Sequence, residues 1–337
     1  MNRINTCIII ILTIISSFQL SAQEGEKAYR FLELPTSTRI NALGGTNVSV
    51  IDNDISLVFQ NPAALGKEMN MNANVGFMSY IADIKVGSAI FGKSIRDANA
   101  FAIGVNYIDY GKFKETDANN NIPDGTSEFG ATDISVNGIY SHMLTDRLRG
   151  GVTAKFIYSS YHDYSSTAIG FDVGLSYYNE EQEFSAGLVL TNVGAQISSY
   201  NEKRIGLPWD IHIGASKKIG NSPVRLSLTG VYLTQWDFSR VDEANGIDSS
   251  DDSFTKTLFK HTVVGLEIIP SQNFWVALGF NPKAHYDLKL QEGNKLGGFN
   301  AGAGIRISKF SIGFSLAKYH PSATSFHFNL GADISKF

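Results

Sequence analysis

From residue 71 onward the chain alternates large apolar and small polar residues with a period of two, and nothing else in the sequence narrows its possible folds as far. Ile169, Phe171, Val173 and Leu175 interleave with Gly170, Asp172, Gly174 and Ser176; Phe326, Phe328, Leu330, Ala332 and Ile334 interleave with His327, Asn329, Gly331 and Asp333. Side chains on a strand point alternately to its two faces, so each run has a greasy face and a polar one. The polar face of a soluble sandwich usually carries Lys, Glu and Thr. Gly, Ser, Asn and Asp dominate here, as on a surface crowded by something inside. The runs at 71–81, 84–92, 100–110, 132–143, 149–160, 167–178, 183–191, 209–218, 224–236, 258–268, 274–281, 297–308, 310–318 and 325–335 read as about fourteen strands, an even number that suits a closed outer-membrane barrel.

The connections sort by parity. Short links at 145–147, 179–182, 219–222 and 270–273, and residue 309 alone, follow even-numbered strands; the long ones at 111–131, 192–208, 237–257 and 282–296 all fall at the opposite end. Outer-membrane barrels have this asymmetry, with tight periplasmic turns and long external loops. A mean hydropathy of -0.06 is too polar for a bundle of membrane helices and fits strands that show lipid on one face only. Tyr80, Tyr110, Trp209, Trp236 and Tyr319 are expected near one rim, and Tyr178 and Trp275 near the other, where interfacial aromatics belong. Phe337 is similar to the terminal aromatic of chains delivered to the barrel-assembly machinery, although out of phase with Phe326 and its partners.

Three segments are expected. Residues 1–22 read as a secretory signal, with Arg3 at a basic start, an apolar core over 8–15 too short to span a bilayer, and small residues before Gln23. The single cysteine, Cys7, lies inside it, so the mature chain has no thiol for a disulfide, thiolate metal site or nucleophile. Residues 23–70 read as a plug and 71–337 as the barrel. Within the plug Gly44, Gly45 and Gly66 allow unusual backbone angles, Asn61 and Pro62 form a turn dipeptide, and Asp52, Asp54, Ser56 and Asn61 can satisfy irregular backbone.

Leu43 with Gly44 and Gly45, Asp52 with Asn53 and Asp54, and the run Phe59, Gln60, Asn61, Pro62, Ala63, Ala64, Leu65 resemble the N-terminal hatch of the FadL-like outer-membrane barrels, where an Asn-Pro-Ala turn lies in the lumen. Residues 28–39 narrow the resemblance to the PorV/PorQ branch of Bacteroidetes, most closely to the PorQ family of the type IX secretion system, which usually has Ala where Thr38 stands. The specific part covers residues 25–65. The resemblance implies an all-β fold: a FadL-like transmembrane antiparallel β-barrel of about fourteen strands with an N-terminal lumenal plug. Arg39, Asp52, Asp54, Asn61, Pro62 and Ala63 form its plug motif. It also implies an outer-membrane location with long loops at the cell surface. The partners implied are other type IX secretion attachment-complex proteins, beside outer-membrane lipid.

No zincin helix, phosphate-binding loop or nucleophile elbow is present, and the seven histidines are scattered without metal-ligand spacing on a helix. Ser253 with Lys256 and Ser315 with Lys318 match Ser-x-x-Lys but lack the companion motifs of acyl-serine enzymes. Neither an enzyme nor a cofactor is expected, and a net charge of -4 gives no reason to expect nucleic acid. Asp117, Asn119, Asn121 and Glu128 occupy positions one, three, five and twelve of a calcium loop, but Ile122 sits where the turn requires Gly. A polar, turn-rich loop is the better reading there and at Asp248, Asp251 and Asp252.

Two functions stay open. One is a non-enzymatic component of the type IX protein secretion system that anchors a partner of the cell-surface attachment complex. Its partner-binding surface would be the connections at 111–131, 192–208 and 237–257, each dispensable for folding of the barrel. The other is a FadL-like outer-membrane transporter of hydrophobic small molecules, which requires an apolar pocket and a route past the plug. Polar, glycine-rich inner faces lean toward the first.

Overall fold

The computed structural model describes residues 27–115, 128–200, 204–238, 253–289, 296–320 and 323–337. The signal segment, Asp117, Asn119, Asn121 and the acidic trio at 248, 251 and 252 lie outside the described residues. Strands β1 (Asn72–Ser79), β2 (Lys85–Ile95), β3 (Asn99–Lys114), β4 (Glu128–Met143), β5 (Leu148–Tyr161), β6 (Tyr164–Asn179) and β7 (Phe184–Ser198) are followed by β8 (Asp210–Lys218), β9 (Val224–Gly230), β10 (Thr262–Ser271), β11 (Phe274–Phe280), β12 (Phe299–Ile307), β13 (Phe310–His320) and β14 (Ala323–Asp333). Each pairs antiparallel with its neighbours in sequence, and β1 pairs with β14 from Asn72 opposite Asp333 to Ser79 opposite Phe326. The sheet is therefore a closed barrel of 14 strands with no free edge.

The alternation sets which face is which. Val75, Phe77, Phe171, Val173, Phe328 and Leu330 stand about half exposed on the outside, while Asn74, Asp172, Ser176, His327 and Asn329 on the opposite parity are buried. A closed barrel that exposes rows of Phe, Val and Leu and buries Asn, Ser and Asp is built for lipid outside and a polar interior.

The wall is uneven in height. β3, β4 and β6 run 16 residues, whereas β9 and β11 have only 7. Seven residues at about 3.4 Å each, tilted by about 45°, rise only roughly 17 Å, short of the roughly 25 Å apolar band of a membrane barrel. Strands at 224–236 and 258–268, as the pattern predicts, therefore need correction at their outer ends. β9 stops at Gly230 because the Asp210 carboxylate accepts the backbone N–H groups of Tyr232 and Thr234, drawing the chain out of the ladder. Trp236 consequently lies in the connection, not at a strand end. Residues before β10 form helix α2 (Phe254–Lys260), started by Ser253, whose hydroxyl accepts from Lys256 N. The connection after β11 carries helix α3 (Pro282–Lys289).

Residues 27–70 lie inside the barrel. Backbone or side chains of this segment bond to β14 (Thr38 N to Asn329 Oδ1, 2.6 Å), β12 (Asn300 Nδ2 to Asn41 O, 2.6 Å), β8 (Ser49 and Ser216 hydroxyls, 2.7 Å) and β4 (Ser141 Oγ to Leu65 O, 2.6 Å). Only a segment enclosed by a closed wall can touch strands on every side of the ring. Its backbone is made of short pieces: a turn at Arg30–Glu33, helix α1 (Thr38–Ala42) capped by Ser37, and single 3-10 turns at Ile55–Phe59, Pro62–Ala64 and Lys67–Met69. At Gly151 and Gly187 a Cβ would overlap the Pro62 and Val48 backbones. Glycine on the inner wall is thus a clearance for the segment.

Candidate functional site in the barrel interior

Toward the rim with the short turns, the interior holds a buried ion cluster. Arg39, 3% exposed, donates from Nε to Glu267 Oε1 (2.6 Å) and from Nη1 to Asp52 Oδ2 (2.6 Å). Arg225 on β9 donates from Nε to Glu267 Oε2 (2.7 Å), so two cations and two carboxylates balance. The Arg39 guanidinium also lies 5.4 Å from the centre of the Trp275 ring, a cation–π distance. Burial pushes the Asp52 carboxyl up, but Arg39 and then Arg225 outweigh it and hold the group at about 2. The cluster forms the floor of a basin of about 840 Å³ whose mixed-charge walls include Arg149, Glu180, Glu183 and Arg306.

The Asn-Pro-Ala turn lies against the inner faces of β5, β6 and β7. Asn61, 1% exposed, uses every part of its amide: Oδ1 accepts from Ala63 N (2.9 Å), while Nδ2 donates to Val48 O (2.7 Å) and to Ser176 Oγ on β6 (3.0 Å). Pro62, with no N–H to place, opens the 3-10 turn, and Ala63 is fully buried. Asp54 plays a local part, its Oδ1 accepting from Ser56 N (3.0 Å) and Ser56 Oγ (2.7 Å).

The opposite end, beneath the long connections, has a different chemistry. Met78, Val86, Ile108, Ile157 and Ala168 face inward together from the strands, with Leu207 from the connection after β7. Tyr29 and Phe31 fill the space between them, and Leu32 and Leu34 pack alongside. The segment is held there by Ala28 N donating to Gly206 O (3.0 Å) and by a hydrogen bond between the Tyr29 and Ser166 hydroxyls. Beside this cluster the buried Asp133 carboxylate accepts from the hydroxyls of Tyr110 (2.6 Å), Tyr161 (2.8 Å) and Ser159.

The structure thus brings Arg39 and Asp52 into one cluster, sets Asp54 in the wall of the same basin with its carboxylate turned to Ser56, and places the Asn61 turn apart from them. Glu267, Arg225 and Trp275 escape a reading of the N-terminal motif alone. A signal for Glu267 does exist: it is a carboxylate on the inward parity of β10, in phase with Val263 and Gly265. The apolar end is less legible, because its members come from separate strands and look like ordinary alternation. Among the described residues no three His, Cys, Asp or Glu side chains gather as a metal site. Glu128 begins β4, exposed, with Lys112 at 3.6 Å. Of the Ser-x-x-Lys pairs, Ser253 caps a helix, and Ser315 points inward to Asn41 while Lys318 lies on the other parity of β13.

No family model matches the chain, and no curated protein sequence matches it. The fold is similar to solved outer-membrane barrels of the FadL type. The toluene transporter TodX of Pseudomonas putida superposes with a TM-score of 0.53 at 10% identity, over 89% of this chain and 96% of its own. A deletion mutant of TodX, described as a monoaromatic hydrocarbon channel, gives 0.53 and 10%, over 88% and 97%. A FadL homologue of Pseudomonas aeruginosa gives 0.49 and 11%, over 88% and 98%.

Proposed function

We propose that this chain is an outer-membrane channel for hydrophobic small molecules, with residues 27–70 as its plug. The apolar end of the lumen carries the reading. At the end beneath the long connections, Met78, Val86, Ile108 and Ile157 surround a space now filled by the chain's own Tyr29 and Phe31. A chamber of carbon atoms favours a carbon-rich guest through burial of apolar surface, about 25 cal/mol per Å². Phe31 stands where a one-ring hydrocarbon or the end of an acyl chain would sit. The likeness to a toluene transporter and a monoaromatic hydrocarbon channel supports the same class of guest. Influx of labelled toluene into cells that have this chain as their only such channel tests the proposal. Influx well above that of vector-only cells is expected; influx equal to theirs, with the barrel folded in the outer membrane, rejects it.

A second reading is favoured by one observation: the interior segment is bonded to the wall all round, so passage requires it to rearrange, whereas a scaffold requires no passage. On this reading the chain belongs to the PorV/PorQ group and anchors a partner of the type IX attachment complex through its long connections. A deletion strain separates the two. Loss of surface-held proteins with toluene influx unchanged favours the scaffold, and the reverse favours the channel.

A further inference from the structure

We infer that the outside of the wall at β10 to β13 carries a binding groove for one membrane lipid, with an acyl chain in the groove and the headgroup phosphate at Lys318. The inference is independent of what passes through the lumen.

The groove follows from the register. At one level the outward residues across four strands are Leu266, Leu278, Ala301 and Leu316, each opposite the next. Ala301 is the small member, so the row has a trough at β12 between two leucines. Phe280 and Phe299, paired one step nearer the long-connection rim, wall the trough, and Leu296 borders it from the connection before β12. The cavity measures about 420 Å³, within the range that holds small molecules, and its lining is carbon apart from a few atoms. It opens where the wall is low: β11 has 7 residues, and above the short strands Leu296, Phe254, Phe259 and Trp236 stand exposed at 64%, 72%, 59% and 49%. Apolar side chains exposed just beyond the strand ends extend the lipid-facing band that the strands are too short to complete.

Lys318 supplies the polar end. It lines the same cavity, shares outward parity with Leu316, and stands two residues before β13 ends at His320, at the level where headgroups begin. Among the described residues no carboxylate pairs with it. A half-buried ammonium with no carboxylate partner among the described residues, above a one-chain trough, is complementary to a phosphate-bearing lipid, and a neutral lipid gains nothing from it.

Native mass spectrometry of the full barrel in detergent tests this, with dioleoylphosphatidylglycerol titrated against dioleoylglycerol, which has the same chains and no phosphate. One tightly held phosphatidylglycerol is expected, with dioleoylglycerol about fivefold weaker, the factor one lysine near a membrane surface contributes. Lys318→Gln should bring the two lipids level. Ala301→Trp fills the trough from the lipid side and should remove the tight site. Lys309→Gln, at the other rim, should change nothing. Equal affinity of the wild type for the two lipids overturns the inference, as does tight binding that survives both Ala301→Trp and Lys318→Gln. If Ala301→Trp does not fold, the Lys318→Gln comparison decides by itself.

Discussion

Glu267 is the residue on which the interior charges balance, since both Arg39 and Arg225 donate to it and its side chain is 1% exposed. Removing one partner of a buried ion pair leaves the other charge uncompensated, so Glu267→Ala should cost about 3–5 kcal/mol. Asp52, whose side chain is 30% exposed, can be replaced by water in part, and Asp52→Asn should cost clearly less. Thermal unfolding followed by the gel-mobility shift of the barrel checks the order; equal losses would mean the cluster is not organised on Glu267. Asn61→Ala strands the Val48 carbonyl and the Ala63 N–H at once, for about 1–3 kcal/mol. The depressed Asp52 carboxyl gives a sign for pH. Its contribution is fully present above its ordinary value of 3.8 and is lost as the pH falls toward about 2, so the Arg39 link does not act as a switch near neutrality. Unfolding temperatures should be flat from about pH 5 to 8 as far as this pair is concerned, and a step near pH 6 would point to a histidine instead.

At the scale of elements, the fit between interior segment and wall depends on which glycines face inward. A Cβ on Gly151 or Gly187 would overlap backbone of the segment, whereas one on Gly87 or Gly138 meets nothing within 4 Å. Gly151→Ala and Gly187→Ala should therefore each destabilise by about 1–3 kcal/mol and loosen residues 27–70, while Gly87→Ala and Gly138→Ala should be close to neutral. Protease sensitivity of the segment in intact vesicles distinguishes the pairs, and equal behaviour of all four would mean that the segment does not pack as described. The described ends of the connection between β9 and β10 pack against each other. Val231, Phe238 and His261 are 2%, 6% and 1% exposed, His261 lies 4.4 Å from Trp236 and 5.0 Å from Phe238 between ring centres, and Val231 N donates to His261 O. A shortening of 237–257 therefore has to keep Phe238 and the residues on either side of the stretch, which are packed against one another.

On the scale of the whole molecule, the barrel and the segment within it contribute separately. Closure through β1 and β14 satisfies the ladder all round, so the wall does not need residues 23–34 to exist. Anchors from Thr38 to Leu65 hold the rest of the segment. Deleting residues 23–34 should leave a folded, heat-modifiable barrel and raise toluene influx, since Tyr29 and Phe31 leave the apolar chamber. Unchanged influx in a folded deletion variant would count against that chamber as part of the path.

Sequence alone determined the wall. Alternation is written residue by residue, and a period of two with polar Gly, Ser and Asn on one parity permits little besides a two-faced closed sheet, which is why the strand number and the gathering of the long connections at one rim were legible. The bonds of Asn61 to Ala63 and of Asp54 to Ser56 are local in sequence and within reach of a turn reading, whereas the bond of Asn61 to Ser176 spans 115 residues and is not. What only the tertiary structure decided is everything that depends on which strands face each other across the lumen. Arg39 meets Glu267 across 228 residues, and Asn41 meets Ser315 across 274. The low wall at β9 is likewise a long-range effect, since it is Asp210 on the neighbouring strand that takes the backbone of Tyr232 away from the ladder. Period and propensity act over a few residues. The charge balance, the apolar chamber and the outer groove arise where closure of the ring brings distant inward or outward positions to one level, and no local pattern records that.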